Sequence, residues 1–252
     1  MEPFLIYPTG TTAACSYAAS ELQHAGFTLT DHPSPEVTHL LLDVPSFSGD
    51  GMLRGGGEIQ QILERLPPAT EVIGGNLSHP ALSQHPCFDL LKNPGYLAQN
   101  AAITAECALG IAFPLLKTTL SDTQTVVIGW GRIGKCLTKL LSALGCPVTV
   151  AARNPHDRAM ISALGFPAAE LQELPELLVN ARLLFNTVPA PVVSSEALDR
   201  YKACVPIDLA SVPGLEGSRV IYARGLPGQY APESSGKLIA GTILKKWKEE
   251  GI

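Results

Sequence analysis

Gly129-Trp130-Gly131-Arg132-Ile133-Gly134 spaces three glycines as G-x-G-x-x-G. The hexad follows the β-branched run Thr125-Val126-Val127-Ile128 and leads into a helical pattern from Ile133 to Leu144 that Gly145 closes. Strand, glycine turn and helix in that order form the cradle that a dinucleotide pyrophosphate requires. Gly129 permits the tight turn, Gly131 lets backbone approach the phosphates, and Gly134 lets the helix pack close to the sheet. The helix N-terminus then presents free N–H groups and the positive end of its dipole. Glycine is common here, 23 of 252 residues, so the spacing carries weight only because of its flanks. All six residues are assigned to cofactor binding.

Cofactor choice is read at the end of the next strand, Pro147 to Ala151, where Arg153 stands 19 residues past Gly134. A carboxylate there would accept from the ribose 2′-OH of NAD, whereas a guanidinium pairs with a 2′-phosphate. The expected cofactor is therefore NADP, with Asn154 beside Arg153 and Arg158 one turn further along as a second cation. Asn186-Thr187-Val188-Pro189 and Asp208-Leu209-Ala210-Ser211 end the next two strands, and ligands of open α/β sheets sit at those carboxyl ends. Thr187, Val188, Pro189, Leu209 and Ala210 are expected to flank the nicotinamide half. For acid–base work the candidate is Glu106, the only charged side chain between Ala98 and Pro114 in a run otherwise apolar almost all round. It could equally be a structural carboxylate.

The elements that must position these residues form two α/β patterns. In the first, Phe4–Tyr7, Phe27–Thr30, His39–Val44 and Glu71–Gly74 read as strands, with helices over Ser16–Ala25 and Gly57–Leu66. The third run is almost wholly apolar, as in a strand covered on both faces. In the second, strands at 125–128, 147–151, 183–187, 205–209 and 220–222 alternate with helices at 133–144, 159–164 and 174–178. The expected fold is α/β, with two Rossmann-like doubly wound domains joined by a long crossing helix and a C-terminal helix returning to the first domain. The divisions are 1–97 for a substrate or partner domain, 98–118 for the connecting helix, 119–233 for the NADP-binding domain and 234–252 for the closing helix.

Composition narrows the function classes. Hydrophobic residues make up 46% and charged residues 16%, as in a folded, core-rich chain. The net charge of −5 argues against nucleic-acid binding. No apolar run reaches the ~20 residues of a spanning helix, and Met1-Glu2-Pro3 has no basic leader, so a cytoplasmic protein is expected. The six cysteines are scattered with no C-x-x-C pair, and no metal site is expected.

In chain order, Asn100-Ala-Ala-Ile-Thr104-Ala-Glu106, the glycine hexad, Ala152-Arg153, Asn186-Thr187-Val188-Pro189, Asp208-Leu-Ala-Ser211 and Gly225-Leu-Pro-Gly228 with Ala231-Pro232 resemble the A-type subunit family of dipicolinate synthase from spore-forming bacteria. The resemblance covers roughly residues 96–245 well and the first domain loosely. It implies two Rossmann-like domains, bound NADP and oxidation of a dihydrodipicolinate-pathway intermediate towards dipicolinate. It also implies a flavoprotein-like second subunit, and a homo-oligomer is expected. The family carries Arg at the position of Val212 and Lys at that of Glu233, so a paralogue acting on another small carboxylate, or a non-catalytic NADP-binding one, is the alternative. Arg224 is the cation that could compensate. The plan is also similar to that of D-2-hydroxyacid dehydrogenases, but their late catalytic His has no counterpart, since no His follows His156. A substrate pocket is expected between the domains, formed by Ser46, Thr104, Glu106, Arg224, Pro227 and Gly228.

Overall fold

The computed structural model describes residues 4–251. Met1–Pro3 and Ile252 lie outside them, and so does the expectation drawn from Met1-Glu2-Pro3. The chain forms two compact units. One runs to Asn100 and resumes at Pro227, and the other is Ala101–Leu226.

The first unit contains β1 (Leu5–Pro8), α1 (Ala13–His24), β2 (Thr28–Leu29), β3 (His39–Leu41), α2 (Ile59–Leu63), β4 (Glu71–Gly74) and β5 (Cys87–Asp89). Its strands are all parallel, in the order β2-β1-β3-β4-β5. Thr12 starts α1 by accepting from the Cys15 N–H, so the helix begins three residues before the expected Ser16. Gly56 and Gly57 at φ 88° and 86° hold the chain out of helix, and α2 is correspondingly shorter than Gly57–Leu66. Val37, Leu40, Leu42, Ile59, Leu63 and Val72 form one core of this unit.

The long helix, α3, is Pro94–Ala112 rather than 98–118. Asn93 accepts from the Tyr96 N–H and Pro94 fits the first turn, which sets the earlier start. Pro114 ends it, because proline has no N–H and disfavours helix in the residue before it. Ala101, Ala105, Ala108, Leu109 and Ala112 are buried, but Glu106 and Gly110 are exposed, so the helix is not buried all round.

The second unit contains β6 (Thr125–Ile128), α4 (Arg132–Ala143), β7 (Val148–Ala151), α5 (Pro155–Ala163), β8 (Ala168–Ala169), α6 (Leu174–Asn180), β9 (Leu183–Asn186), α7 (Ser195–Asp199), β10 (Val205–Asp208) and β11 (Ile221–Tyr222). The sheet order is β8-β7-β6-β9-β10-β11, all parallel. Counted within the unit this is 3-2-1-4-5-6, the order of dinucleotide-binding sheets, with its switch point between β6 and β9. Every residue of β6 and β9 is buried, as central strands covered on both faces must be.

After α8 (Leu226–Tyr230), the C-terminal helix α9 (Pro232–Glu249) returns to the first unit and packs on α1. Gly236 makes this possible: a Cβ there would overlap Tyr17 and press on backbone at Ala14 and Ala18. Trp247 is 1% exposed, with its ring 5.1 Å from Phe4, 4.8 Å from Phe27 and 4.9 Å from His39. Lys246 pairs with Glu71 at 3.0 Å and Glu250 at 2.8 Å.

Burial, reinforced by Lys246, pulls the His39 pKa down from 6.5 to about 4, with Glu250 opposing. The unfolded chain therefore binds a proton between about pH 6.5 and 4 that the folded chain does not. Stability is expected to fall as pH drops through that window, by up to about 3 kcal/mol. Urea midpoints from pH 7 to 4 should show this slope, and His39→Leu should flatten it. An unchanged slope in the variant would rule His39 out as its source.

No described helix is long and apolar enough to cross a membrane.

Candidate functional site

The site in the second unit is built at the carboxyl ends of β6, β7 and β9. Gly129 leaves β6 at φ 101°, and its N–H donates to the Ala151 carbonyl at 2.9 Å. Thr187 ties the other side of the switch point, donating through both its N–H and its hydroxyl to the Ile128 carbonyl at 2.9 Å. A Cβ on Gly129 would meet Thr187 Oγ1 at 2.5 Å and Val188 Cγ2 at 2.8 Å. One on Gly134 would overlap the Gly129 carbonyl oxygen. Gly131 is different: nothing lies within 4 Å of where its Cβ would point, and it caps α4 with no side chain among the described residues taking the first-turn N–H groups. Open space over uncapped amides is what an incoming phosphate needs, so these residues fit the pyrophosphate of a dinucleotide.

A cleft of about 360 Å³ adjoins this turn. Gly129, Trp130, Arg153, Asn154 and Val188, all expected from the sequence, line it. Arg153 is exposed, with no ion-pair partner among the described residues. Asn154 caps α5, its Oδ1 accepting from the His156 N–H at 2.9 Å. Trp130 does double duty. It lines the cleft, but at 8% exposed it packs with Val150, Ala152 and Ile161, with Lys135 Nζ 5.8 Å from its ring centre. Arg132 is exposed and Ile133 half-buried in the first turn of α4.

Arg158, expected as a second cation for the cofactor, is engaged within the fold. It donates to the carbonyls of Ala152 at 3.0 Å and Arg153 at 2.8 Å, and it pairs with Glu170. It thus fixes the strand end that carries Arg153. Leu209 and Ala210 are 5% and 4% exposed, so their side chains belong to the core; Pro189 is exposed.

The turns after β9 and β10 are held by two buried polar groups. Asp208, 1% exposed, accepts from the N–H groups of Ala210, Gly214 and Leu215 at 2.9, 2.7 and 2.8 Å. Asn186, fully buried, donates to both Asp208 oxygens at 3.2 Å and to the Val188 carbonyl at 3.0 Å. Their side chains shape the loops, leaving backbone and small side chains to face a ligand. Sequence reading missed this network and also the cleft residues Asp157, Leu171, Ala190, Pro191 and Val192. Asp157 could have been noticed as the acid in the first turn of the helix that follows Arg153.

The expected substrate-pocket residues fall in both units. Thr104, Glu106 and Arg224 belong to the second, and Ser46, Pro227 and Gly228 to the first. Thr104 is 7% exposed while Glu106 is exposed. Two residues apart on a helix they point about 200° apart, so they cannot line one wall together. Ser46 is buried, donating to the Asp43 carbonyl at 2.8 Å and accepting from the Gly75 N–H at 3.0 Å. Arg224 and Gly228 are exposed and Pro227 is buried.

Residues 111–201 match the family model described as D-isomer specific 2-hydroxyacid dehydrogenase, NAD binding domain. Across 89% of this chain and 84% of the relative, the sequence is 25% identical to the A-type subunit of dipicolinate synthase from Bacillus subtilis (strain 168). The crystal structure of the corresponding dipicolinate synthase subunit from Bacillus halodurans superposes with a TM-score of 0.80 at 22% identity, covering 97% of each chain. A transhydrogenase from Sinorhizobium meliloti follows the same fold more loosely, with a TM-score of 0.68 at 15% identity over 98% of this chain and 85% of that one. With the strand order and the glycine turn, these likenesses support a nicotinamide cofactor and NAD(P)-dependent oxidoreductase chemistry.

Proposed function

We propose, for a chain that is a divergent homologue of the A-type subunit of dipicolinate synthase, an NADP-dependent oxidation of a dihydrodipicolinate-type intermediate towards dipicolinate. The observation that carries this reading is the open, uncapped start of α4 at Gly131, set at the switch point with Arg153 on the adjoining cleft. Bound NADP+ supplies a hydride acceptor. The chain's own part is to hold it: α4 amides for the pyrophosphate, Arg153 for the 2′-phosphate, and the Thr187–Pro189 and Leu209–Ala210 turns for the other half. Arg158 and Asp208 are positioning residues for these contacts. Removing two hydrogens from a dihydropyridine also releases a proton, and Glu106 is the proposed acceptor. The relative's name makes it one subunit of an enzyme, and a second subunit is proposed here as well.

A second reading keeps NADP and changes the substrate, or dispenses with turnover. It is favoured by the two positions where the family carries cations. Val212 is exposed and uncharged, and Glu233 is an acid paired with Lys237.

Absorbance at 340 nm separates the two. With NADP+ and a dihydrodipicolinate-type substrate, the first reading expects NADPH to accumulate. Glu106→Gln should then lower kcat by about a hundredfold while leaving NADP affinity nearly unchanged. A fully active Glu106→Gln protein removes Glu106 from the chemistry, and no NADPH at all favours the second reading.

A further inference from the structure

The cleft beside the glycine turn is short of positive charge for the cofactor proposed above. Among its lining residues Arg153 is the one cation and Asp157 the one acid, so their charges cancel. A phosphate monoester such as the 2′-phosphate carries about 1.5 to 2 negative charges at pH 7. Arg158 cannot make up the difference, because it is committed to Glu170 and to the Ala152 and Arg153 carbonyls.

Unpaired cations stand next to the cleft on α4. Arg132 and Lys135 are its first and fourth residues, and both are exposed. Neither has an ion-pair partner among the described residues. No acid lies in that first turn. Cations at the positive end of a helix dipole sit in an unfavourable field, which an incoming anion relieves.

Of the two, Lys135 is tied to the strand end that chooses between cofactors. Its Nζ lies 5.8 Å from the centre of the Trp130 ring, within cation–π range. Trp130 lines the cleft and packs against Val150 and Ala152, the residues of β7 and its end that lead into Arg153. The indole therefore places the ammonium on the β7 side of α4. Trp130 is 8% exposed and packed in place, whereas the lysine stem is exposed and flexible.

We propose that Lys135 is a second specificity-determining residue, joining Arg153 in pairing with the 2′-phosphate of NADP. The inference deepens the proposed function and rests on its reading of the cofactor as NADP. Arg153 supplies a rigid fork and Lys135 a mobile point charge, so Lys135 contributes the smaller share. Arg132, the first residue of α4, is placed for the pyrophosphate, which NAD and NADP share.

The test is calorimetric titration of the full-length wild type, Lys135→Met, Lys135→Gln and Lys135→Arg, each with NADPH and with NADH. Methionine keeps a hydrocarbon cover on Trp130 and removes the charge. Lys135→Met and Lys135→Gln should each lose about threefold to tenfold in NADPH affinity and leave NADH affinity unchanged. Lys135→Arg should keep the wild-type preference. The NADH titrations and tryptophan emission report that the turn and the packing around Trp130 are intact. Unchanged NADPH affinity in both uncharged variants overturns the proposal. An equal loss for the two cofactors also overturns it, since the charge would then act on the part they share. A wild type that binds NADPH and NADH equally sinks the NADP reading and this proposal with it, and that outcome is visible before any variant is made.

Discussion

Gly131→Val is expected to abolish dinucleotide binding while leaving the chain folded. Gly131 sits at φ −75° and ψ −171°, extended backbone that valine adopts without strain, and nothing lies within 4 Å of its added Cβ. The fold therefore has no reason to reject the side chain. The branched group instead occupies the space over the uncapped amides of α4, which is where the pyrophosphate must come. Thermal unfolding should be nearly unchanged, and NADPH fluorescence should show no saturable binding. Gly134→Ala makes the contrast, because its Cβ would overlap the Gly129 carbonyl oxygen and disturb the turn itself. A Gly131→Val protein that binds NADPH normally would place the cofactor elsewhere.

Arg153→Asp should reverse the cofactor preference. Arg153 is exposed and lines the cleft, so its loss costs the fold little. A charge-assisted hydrogen bond to a 2′-phosphate is worth about 1.5–3 kcal/mol, roughly a tenfold to hundredfold preference. An aspartate removes that contact, repels the phosphate beside the existing Asp157, and can accept from a ribose 2′-OH instead. Affinity measurements on the variant should find NADH bound more tightly than NADPH. A variant that still prefers NADPH would mean that some other cation reads the phosphate.

What the sequence revealed follows from burial. The strands 125–128, 183–186 and 205–208 are central and covered, so they stand out as apolar runs between turns. Cys87–Asp89 and Ala168–Ala169 were not legible, because neither contains a β-branched residue to mark it as a strand. The helices Ser195–Asp199 and Leu226–Tyr230 escaped because five residues leave little helical period to read. The glycine turn was legible because its spacing and its flanking strand and helix are all local in the chain: Gly129 and Gly134 leave room for close contacts, and Gly131 leaves space open over the α4 amides. Arg158 was not, because its partner Glu170 lies 12 residues away and reaches it only through the fold. The Asn186–Asp208 network is likewise a contact across 22 residues, and spacing alone gives no hint of it. Thr104 and Glu106 were read together as neighbours in sequence, although a helix turns them to different faces.

Calorimetric titration of the wild-type chain with NADPH and, separately, with NADH probes the dinucleotide site most directly. The predicted result is one site per chain, with NADPH bound at least about tenfold more tightly than NADH. Failure to bind either nucleotide would contradict the site at Gly129–Gly134, and equal affinities would contradict the role of Arg153.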